Sequence, residues 1–553
     1  MKKGKMLAVP GAVVVLAVIS GGWFLQKDLG LGANLYVQTR VLDEVVVRIE
    51  QHFVDEIDTE ELYDAALEGV VARLGDPNSS LLQAPDWEDM RIRTQGEYGG
   101  VGLEVADRDS FVTVVAPIPG TPGSRAGLRP GDRIVEVEGR SVEGMGTDEV
   151  AQILRGKPGT SVRMGVRRHG VERIIPFEIT RAVIQLKAVP FAVLLEGGVG
   201  YVPVEIFNET TTEEVQARLD SLGAEGMTSL ILDLRRNRGG LLLEGVGLSD
   251  LFLDAGSDIV EVRGRATPPE RYRAGAAQAR PELPIVVLVD HGSASAAEIV
   301  AGALQDHDRA LLIGAPTFGK GSVQSLFPVA GGRVLKLTTA RWYTPSGRSI
   351  QKDVREQLID VENGVISLRG EVVRYPDFSD RPLHTSAGGR VLRGGGGIMP
   401  DLWILPDTLA GSEGEAVRKL FAVGSGYVRT LQNWAVLYLQ EHPDLKPGFT
   451  ITDADLASFH ASLSERGVGL SLADLNRAGR TVKYHLGSEI ALQAWEDRGR
   501  FQRNASRDAQ LRKALGLLLA AGSQRDLFRM AGTPLEGSRP GEDVAAGGSG
   551  PSR

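Results

Sequence analysis

The chain is 553 residues long, 42% hydrophobic and 24% charged, the make-up of folded soluble material in roughly three or four domains at about 150 residues each. Its net charge of −9 is spread without a long basic stretch, which sets nucleic acid aside as a partner. It has no cysteine, which excludes disulfides, thiolate metal sites and a cysteine nucleophile, and no other ligand cluster calls for a metal or cofactor.

At the amino terminus Lys2, Lys3 and Lys5 precede an apolar run from Met6 to Leu25, about the length that spans a bilayer. Residues 1–26 are therefore expected to form a single-pass inner-membrane anchor. The lysines stay in the cytoplasm, and everything beyond Gln26 is periplasmic or otherwise extracytoplasmic. The lack of a clear A-x-A site favours a retained anchor over a signal cleaved near Ser20. Residues 30–94 read as helical. Leu42, Val45, Ile49 and Phe53 recur at spacings of three and four between Asn34 and Asp55, and a second such stretch runs from Glu60 to Leu74. The first of these helices either packs into a local core or pairs with a second copy of itself to make a homodimer.

Between residues 95 and 182 short β-like runs, "FVTVVAPI", "RIVEVEG" and "SVRMGVRR", alternate with Gly and Pro turns. "YGGVGLEV" followed by "SRAGLRPGDRIVEVEGRSV" resembles a PDZ domain. That resemblance implies that backbone amides of Gly100, Val101, Gly102 and Leu103 capture the C-terminal carboxylate of an apolar peptide tail. Adjacent amides form an anion nest, and the neighbouring strand edge takes the peptide as an extra strand.

From residue 183 to 407 strands and helices alternate, an α/β pattern in which strand-to-turn-to-helix junctions build sites. "SLILDL" leads into "RRNRGG", "PIVVLVD" into "HGSASAAEIVAGALQD", and "ALLIG" into "GAPTFGKGS". Residues 408–530 are mostly helical, and 531–553 are too poor in apolar residues to order, a disordered tail.

"GAPTFGKGS" (314–322) imitates a phosphate-binding loop, but Gly321 separates Lys320 from Ser322, and Pro328 with two following glycines precludes the helix such a loop needs. Ser295 is the stronger feature. It sits at a strand-to-helix corner, where unpaired helix amides would stabilise an alkoxide or a tetrahedral oxyanion. The same residues, Ser295 to Glu298, also spell a capping box, and Ser293 could cap the same helix. A histidine base has two nearby options, His291 and His307, neither with an acidic partner at a fixed spacing.

Four blocks occur in order: "DLRRNRGG" (233–240), "GSASAAEIVAGALQD" (292–306), "GAPTFGKGSVQ" (314–324) and "YTPSGRSIQ" (343–351), with a trailing "GGGIMPD" (395–401). Together they resemble the carboxyl-terminal processing peptidases, or tail-specific proteases, over roughly residues 30–405. The resemblance implies a crotonase-like α/β protease core with an inserted PDZ domain, N-terminal helices and a helical C-terminal extension. It makes Ser295 the nucleophile, Lys320 the general base and Gln324 the residue that orients the lysine. The oxyanion donors are then the amides of Ala296 and of the Gly239-Gly240 turn. Lysine serves as a base only when neutral, which apolar neighbours such as Phe318 would favour, and Gly319 and Gly321 leave it room. Ala297 stands where the family often has a further serine and Arg238 where proline is common. The expected function is a serine endopeptidase acting on extracytoplasmic proteins through their C-terminal tails. The alternative is an inactive PDZ-bearing scaffold.

Overall fold

The computed structural model describes residues 36–108, 111–168, 170–352, 365–370, 372–373, 380–409, 411–422, 424–533 and 535. The expected anchor (1–26), nearly all of the expected tail, and residues 353–364, 371 and 374–379 of the long 352–393 segment lie outside them. Among the described residues no helix is long and apolar enough to cross a membrane. The chain divides into two compact units, Met1–Ala84 with Gln324–Thr338, and Pro85–Val323 with Thr339–Arg553.

In the first unit, α1 (36–52) is followed by α2 (Thr59–Ala72), which Asp58 caps by accepting from the Glu60 amide at 2.9 Å. Strand β1 (Ser80–Leu82) pairs antiparallel with Val334–Lys336, and Arg333 donates to Gln83 and ion-pairs with Asp64. On α1 Val46 is buried and Ile49 half-buried, whereas Leu42, Val45 and, just past the helix, Phe53 are exposed.

The second unit opens with a small β domain. Its sheet runs β2 (Leu103–Arg108), β3 (Phe111–Pro117), β4 (Arg133–Val137), β5 (Ser161–Arg167) and β6 (Ile175–Thr180), in that spatial order and antiparallel throughout. Helix α3 (Thr147–Leu154) buries Val150 and Leu154 against it, with Val112, Val114, Ile134 and Val162. Glu97–Gly100 pairs with Ala182–Gln185 and closes the domain where the chain enters and leaves.

The catalytic-core candidate is a six-stranded sheet: β7 (Val193–Leu194), β8 (Val199–Pro203), β9 (Ser229–Asp233), β10 (Ile285–Val289), β11 (Leu311–Gly314) and the short strand Leu402–Trp403. All neighbours are parallel except β7 with β8. Alternate residues of each strand face opposite layers. Leu230, Leu232, Val287 and Leu312 pack under α4 (Thr211–Ala224), α5 (Leu242–Asp250) and α6 (Ala296–Asp306). Ile231, Val286, Leu288, Leu311 and Ile313 pack against Leu511, Leu517, Leu518, Leu527 and Phe528.

Those last residues belong to the C-terminal extension, which comprises α7 (Gly411–Ala422), α8 (Ser425–Glu441), α9 (Asp453–Glu465), α10 (Leu472–Arg477), α11 (Gly479–Asn504), α12 (Ala509–Ala520) and α13 (Gln524–Met530). Helices α7 to α11 form a bundle with its own core around Tyr427, Trp434, Phe459 and Leu486, shared with Ile366, Leu368 and Leu409. Helices α12 and α13 cover the second face of the parallel sheet, as such sheets require. The extension is therefore part of the α/β core's layering rather than an appendage to it.

Candidate active site

Three strands that are adjacent in the sheet, β9, β10 and β11, each end in one of the glycine-rich blocks, with Asp233 opposite Leu288 and Val289 opposite Gly314. The blocks are scattered over some ninety positions of sequence, yet parallel pairing brings their turns to one edge. Ligands of open parallel sheets bind at such carboxyl ends.

The turns after β9 and β10 are laced together. Asp290 Oδ1 accepts from the Arg236 amide at 2.8 Å, Ser293 Oγ donates to the Leu234 carbonyl at 2.8 Å, and the Ala294 amide donates to the Asn237 carbonyl at 2.8 Å. Ser293 thereby staples the turn and does not cap the helix. Asn237 is wholly buried. Its Nδ2 donates to the Val204 carbonyl and its Oδ1 accepts from the Gly239 amide, each near 2.8 Å. The Gly239 amide is thus committed, and the glycine pair offers one open donor, Gly240, rather than two. Gly239 has φ of +87°, and a Cβ there would lie 2.7 Å from Ser295 Cβ and 3.0 Å from the Ala296 nitrogen, so only glycine lets the turn run this close to the serine.

Ser295 has φ 55° and ψ −116°, a backbone that a residue with a side chain adopts at a cost of order 1–3 kcal/mol. It is half-buried, and its hydroxyl makes no cap hydrogen bond. Among the described residues no acceptor takes the amide of Ala296, the first residue of α6, or that of Gly240. The serine thus stands at a helix amino terminus beside two uncommitted N–H groups.

Glu298 is the residue whose role the sequence reading missed. Its carboxylate reaches back to the Ser295 amide at 2.9 Å, as a capping box would, but it is fully buried and also binds the lysine loop. Oε1 accepts from the Thr317 hydroxyl at 2.5 Å and the Gly319 amide at 2.7 Å, and Oε2 accepts from the Lys320 amide at 2.9 Å. The Ser295 and Lys320 amide nitrogens share Oε2 and so lie no more than twice 2.9 Å apart. Burial pushes the Glu298 carboxyl above its ordinary range, and the four donors only partly offset this. The far side of the loop is pinned by Gly321 donating to Gln351 Oε1 at 3.0 Å and by the Trp342 indole donating to the Lys320 carbonyl at 3.1 Å. Lys320 is half-buried. Phe318, expected to shield it, is exposed.

Gln324 belongs to the first unit, where its Nε2 donates to Thr338 Oγ1 at 3.2 Å. His307 follows the C-terminal end of α6, roughly 16 Å of helix from Ser295, with Nε2 on the Asp258 carbonyl. His291 and Arg238 are exposed, and Ala297 is buried in the core. In the small β domain, Gly100 ends a paired strand and Val101 is buried. The Val101 carbonyl accepts from the Gly123 amide at 2.7 Å, and that of Gly102 from the Ile118 amide and the Thr121 hydroxyl, each at 3.0 Å. A trans peptide points its N–H opposite its C=O, so the amides of Gly102 and Leu103 face away from those donors. They open onto β2, the edge strand of its sheet.

The signature of peptidase family S41 matches residues 198–359, and that of a PDZ domain matches residues 113–168. The chain is 40% identical over 323 residues to the carboxy-terminal-processing protease of Bartonella bacilliformis, covering 58% of this chain and 74% of that protein. It is 35% identical over 346 residues to the carboxy-terminal processing protease CtpA of Bacillus subtilis, covering 62% and 73%. Among solved structures it aligns with a photosystem II D1 C-terminal processing protease at 30% identity and a TM-score of 0.33, over 56% of this chain and 89% of that one.

Proposed function

The chain belongs to the carboxy-terminal processing proteases of peptidase family S41, serine-type peptidases, and on that premise we propose that Ser295 and Lys320 form its catalytic dyad. The PDZ domain, in the same proposal, delivers protein substrates by their C-terminal tails. Neutral Lys320 takes the proton of Ser295 as Oγ attacks the scissile carbonyl. The carbonyl oxygen becomes an oxyanion that accepts from the Ala296 and Gly240 amides. The lysine then gives its proton to the leaving amine, and a water that it deprotonates hydrolyses the acyl-enzyme and restores the serine. General-base assistance is worth about 10²–10⁴-fold and one oxyanion donor about 10²–10³-fold.

The observation that carries this reading is the shared carboxylate oxygen. Glu298 Oε2 holds the backbones of Ser295 and Lys320 together, an arrangement that a plain helix cap does not need. The test is cleavage of an unfolded protein with an apolar C-terminus by the full chain, beside Ser295→Ala and Lys320→Ala. Loss of at least about 10³-fold in kcat is expected for each variant. Equal cleavage by all three would remove the dyad, and tail binding without cleavage by the wild type would return the scaffold reading.

Tail capture rests on the outward amides of Gly102 and Leu103 and on the open edge of β2. In the same proposal the run Met6 to Leu25 is the anchor of a protease that works on the extracytoplasmic face, which digestion of intact spheroplasts by an added protease would check. Tyr36, Val37, Val41 and Val45, all at least 49% exposed, favour α1 as a pairing helix between two copies. Sedimentation of the full chain as a monomer at all concentrations would count against that.

A further inference from the structure

Asp508, just ahead of α12 in the extension, lies 273 positions from Arg235, yet the two side chains are joined. Arg235 Nη1 donates to Asp508 Oδ1 and Oδ2 at 3.0 and 2.8 Å and to Gln510 Oε1 at 2.9 Å. Its Nε and Nη2 donate to Asp233 at 2.9 and 2.6 Å, and Tyr201 donates its hydroxyl to the same carboxylate at 2.7 Å. All three charged side chains are less than 10% exposed. Asp508 also accepts from Arg369 at 3.2 Å and caps its own helix through the Leu511 amide at 3.1 Å.

Arg235 is flanked in sequence by two residues that lock the turn bearing the nucleophile. The Leu234 carbonyl receives Ser293, and the Arg236 amide donates to Asp290. Arg236 itself is strained, with φ of 63°, and the chain from here to Gly240 carries the open amide. Asp233 anchors Arg235 from within the same turn, whereas the only fastening to a separate layer among these bonds comes from Asp508 and Gln510. A guanidinium with its five donors fixed in a plane transmits that anchoring to its backbone better than a flexible ammonium would.

We propose that the C-terminal extension is a working part of the peptidase site: Asp508 is a positioning residue that, through Arg235, holds the 234–240 turn and its Gly240 amide in the geometry that receives the oxyanion. This rests on the Ser295 reading above. It assigns a task in catalysis to a segment that neither matched signature reaches.

The experiment uses the full chain, with wild type, Asp508→Asn, Gln510→Leu and Ser295→Ala assayed on one peptide substrate. Asp508→Asn is expected to lower kcat about 10–100-fold with KM within twofold, and Gln510→Leu to lower it less. Because the loss of a buried charge can unfold a protein, a second measurement is made on the folded fraction alone. It compares affinity for a peptide aldehyde, whose adduct with Ser295 places an oxygen in the oxyanion site, with affinity for the same peptide ending in the corresponding alcohol, which forms no adduct. The aldehyde should bind Asp508→Asn at least tenfold more weakly and the alcohol equally well. Equal weakening of both ligands, or kcat unchanged, overturns the proposal. An inactive Ser295→Ala beside an unimpaired Asp508→Asn overturns this proposal alone. Equal cleavage by Ser295→Ala and wild type overturns the dyad and this proposal with it.

Discussion

Glu298 is wholly buried and accepts from Thr317, Gly319, Lys320 and Ser295, so each of its oxygens satisfies two donors, and Oε2 takes one from each of two separate loops. Replacement by glutamine keeps the shape but turns one oxygen into a donor, which then faces two donors. A buried unmet donor costs about 1–3 kcal/mol, and among the described residues the amide of the strained Ser295 has no other acceptor. Glu298→Gln should therefore lower kcat about 10–100-fold and the thermal midpoint by a few degrees, while leaving tail binding in place. Steady-state kinetics with calorimetry on the same preparation checks this. A folded variant with wild-type kcat would show that the serine and lysine loops keep their places without the carboxylate.

At the scale of elements, the proposed tail capture uses the edge strand β2 and the Gly102 and Leu103 amides at its start. On the proposed tail capture, a free C-terminal carboxylate would complete charge-assisted hydrogen bonds to the Gly102 and Leu103 amides, whereas an amidated tail would bring a donor to the same place. Amidation should weaken tail binding to full-length Ser295→Ala about 10–100-fold, measured by fluorescence anisotropy. Equal affinity for both tails would leave β2 pairing as the sole means of capture. The blocks that build the site were legible because β-branched runs such as "PIVVLVD" end in small-residue turns, a local signal for strand, corner and helix. The role of Glu298 was not legible. Its local partner is Ser295, as a capping box predicts, but its other donors come from about twenty residues downstream and only the pairing of β10 with β11 brings them near. Periodicity likewise marked the extension as helical without saying that α12 and α13 lie on the sheet. The apolar stripe of a helix states that it must be covered, not by what. An Asp ahead of "AQLRKALGLLLA" signals an N-cap, and nothing in that signal points to Arg235.

At the scale of the whole molecule, two of the buried carboxylates respond to acid with opposite signs. Glu298 has its pKa raised by burial, so the folded state favours its protonated form, and protonation on acidification costs the fold nothing through this group. Its protonated carboxyl nevertheless gives up acceptor capacity for the serine and lysine loops. Asp508 is the reverse case. Burial opposes its ionisation but is outweighed by Arg235, Arg369 and the Leu511 amide, which hold its pKa below the ordinary value. The stability it contributes is fully present above the unfolded-state value of about 3.9 and is lost only as pH falls through the lower folded-state value. Acidification should therefore lower peptidase activity through Glu298 while the extension is still fastened to the core, with unfolding following only below about pH 4. Activity and near-UV circular dichroism, recorded on the same samples in small pH steps and again after return to neutrality, separate the two events. Full recovery of activity from pH 5 with an unchanged spectrum is expected. Coincident loss of both signals above pH 5 would mean that the core and its extension part before Glu298 takes its proton.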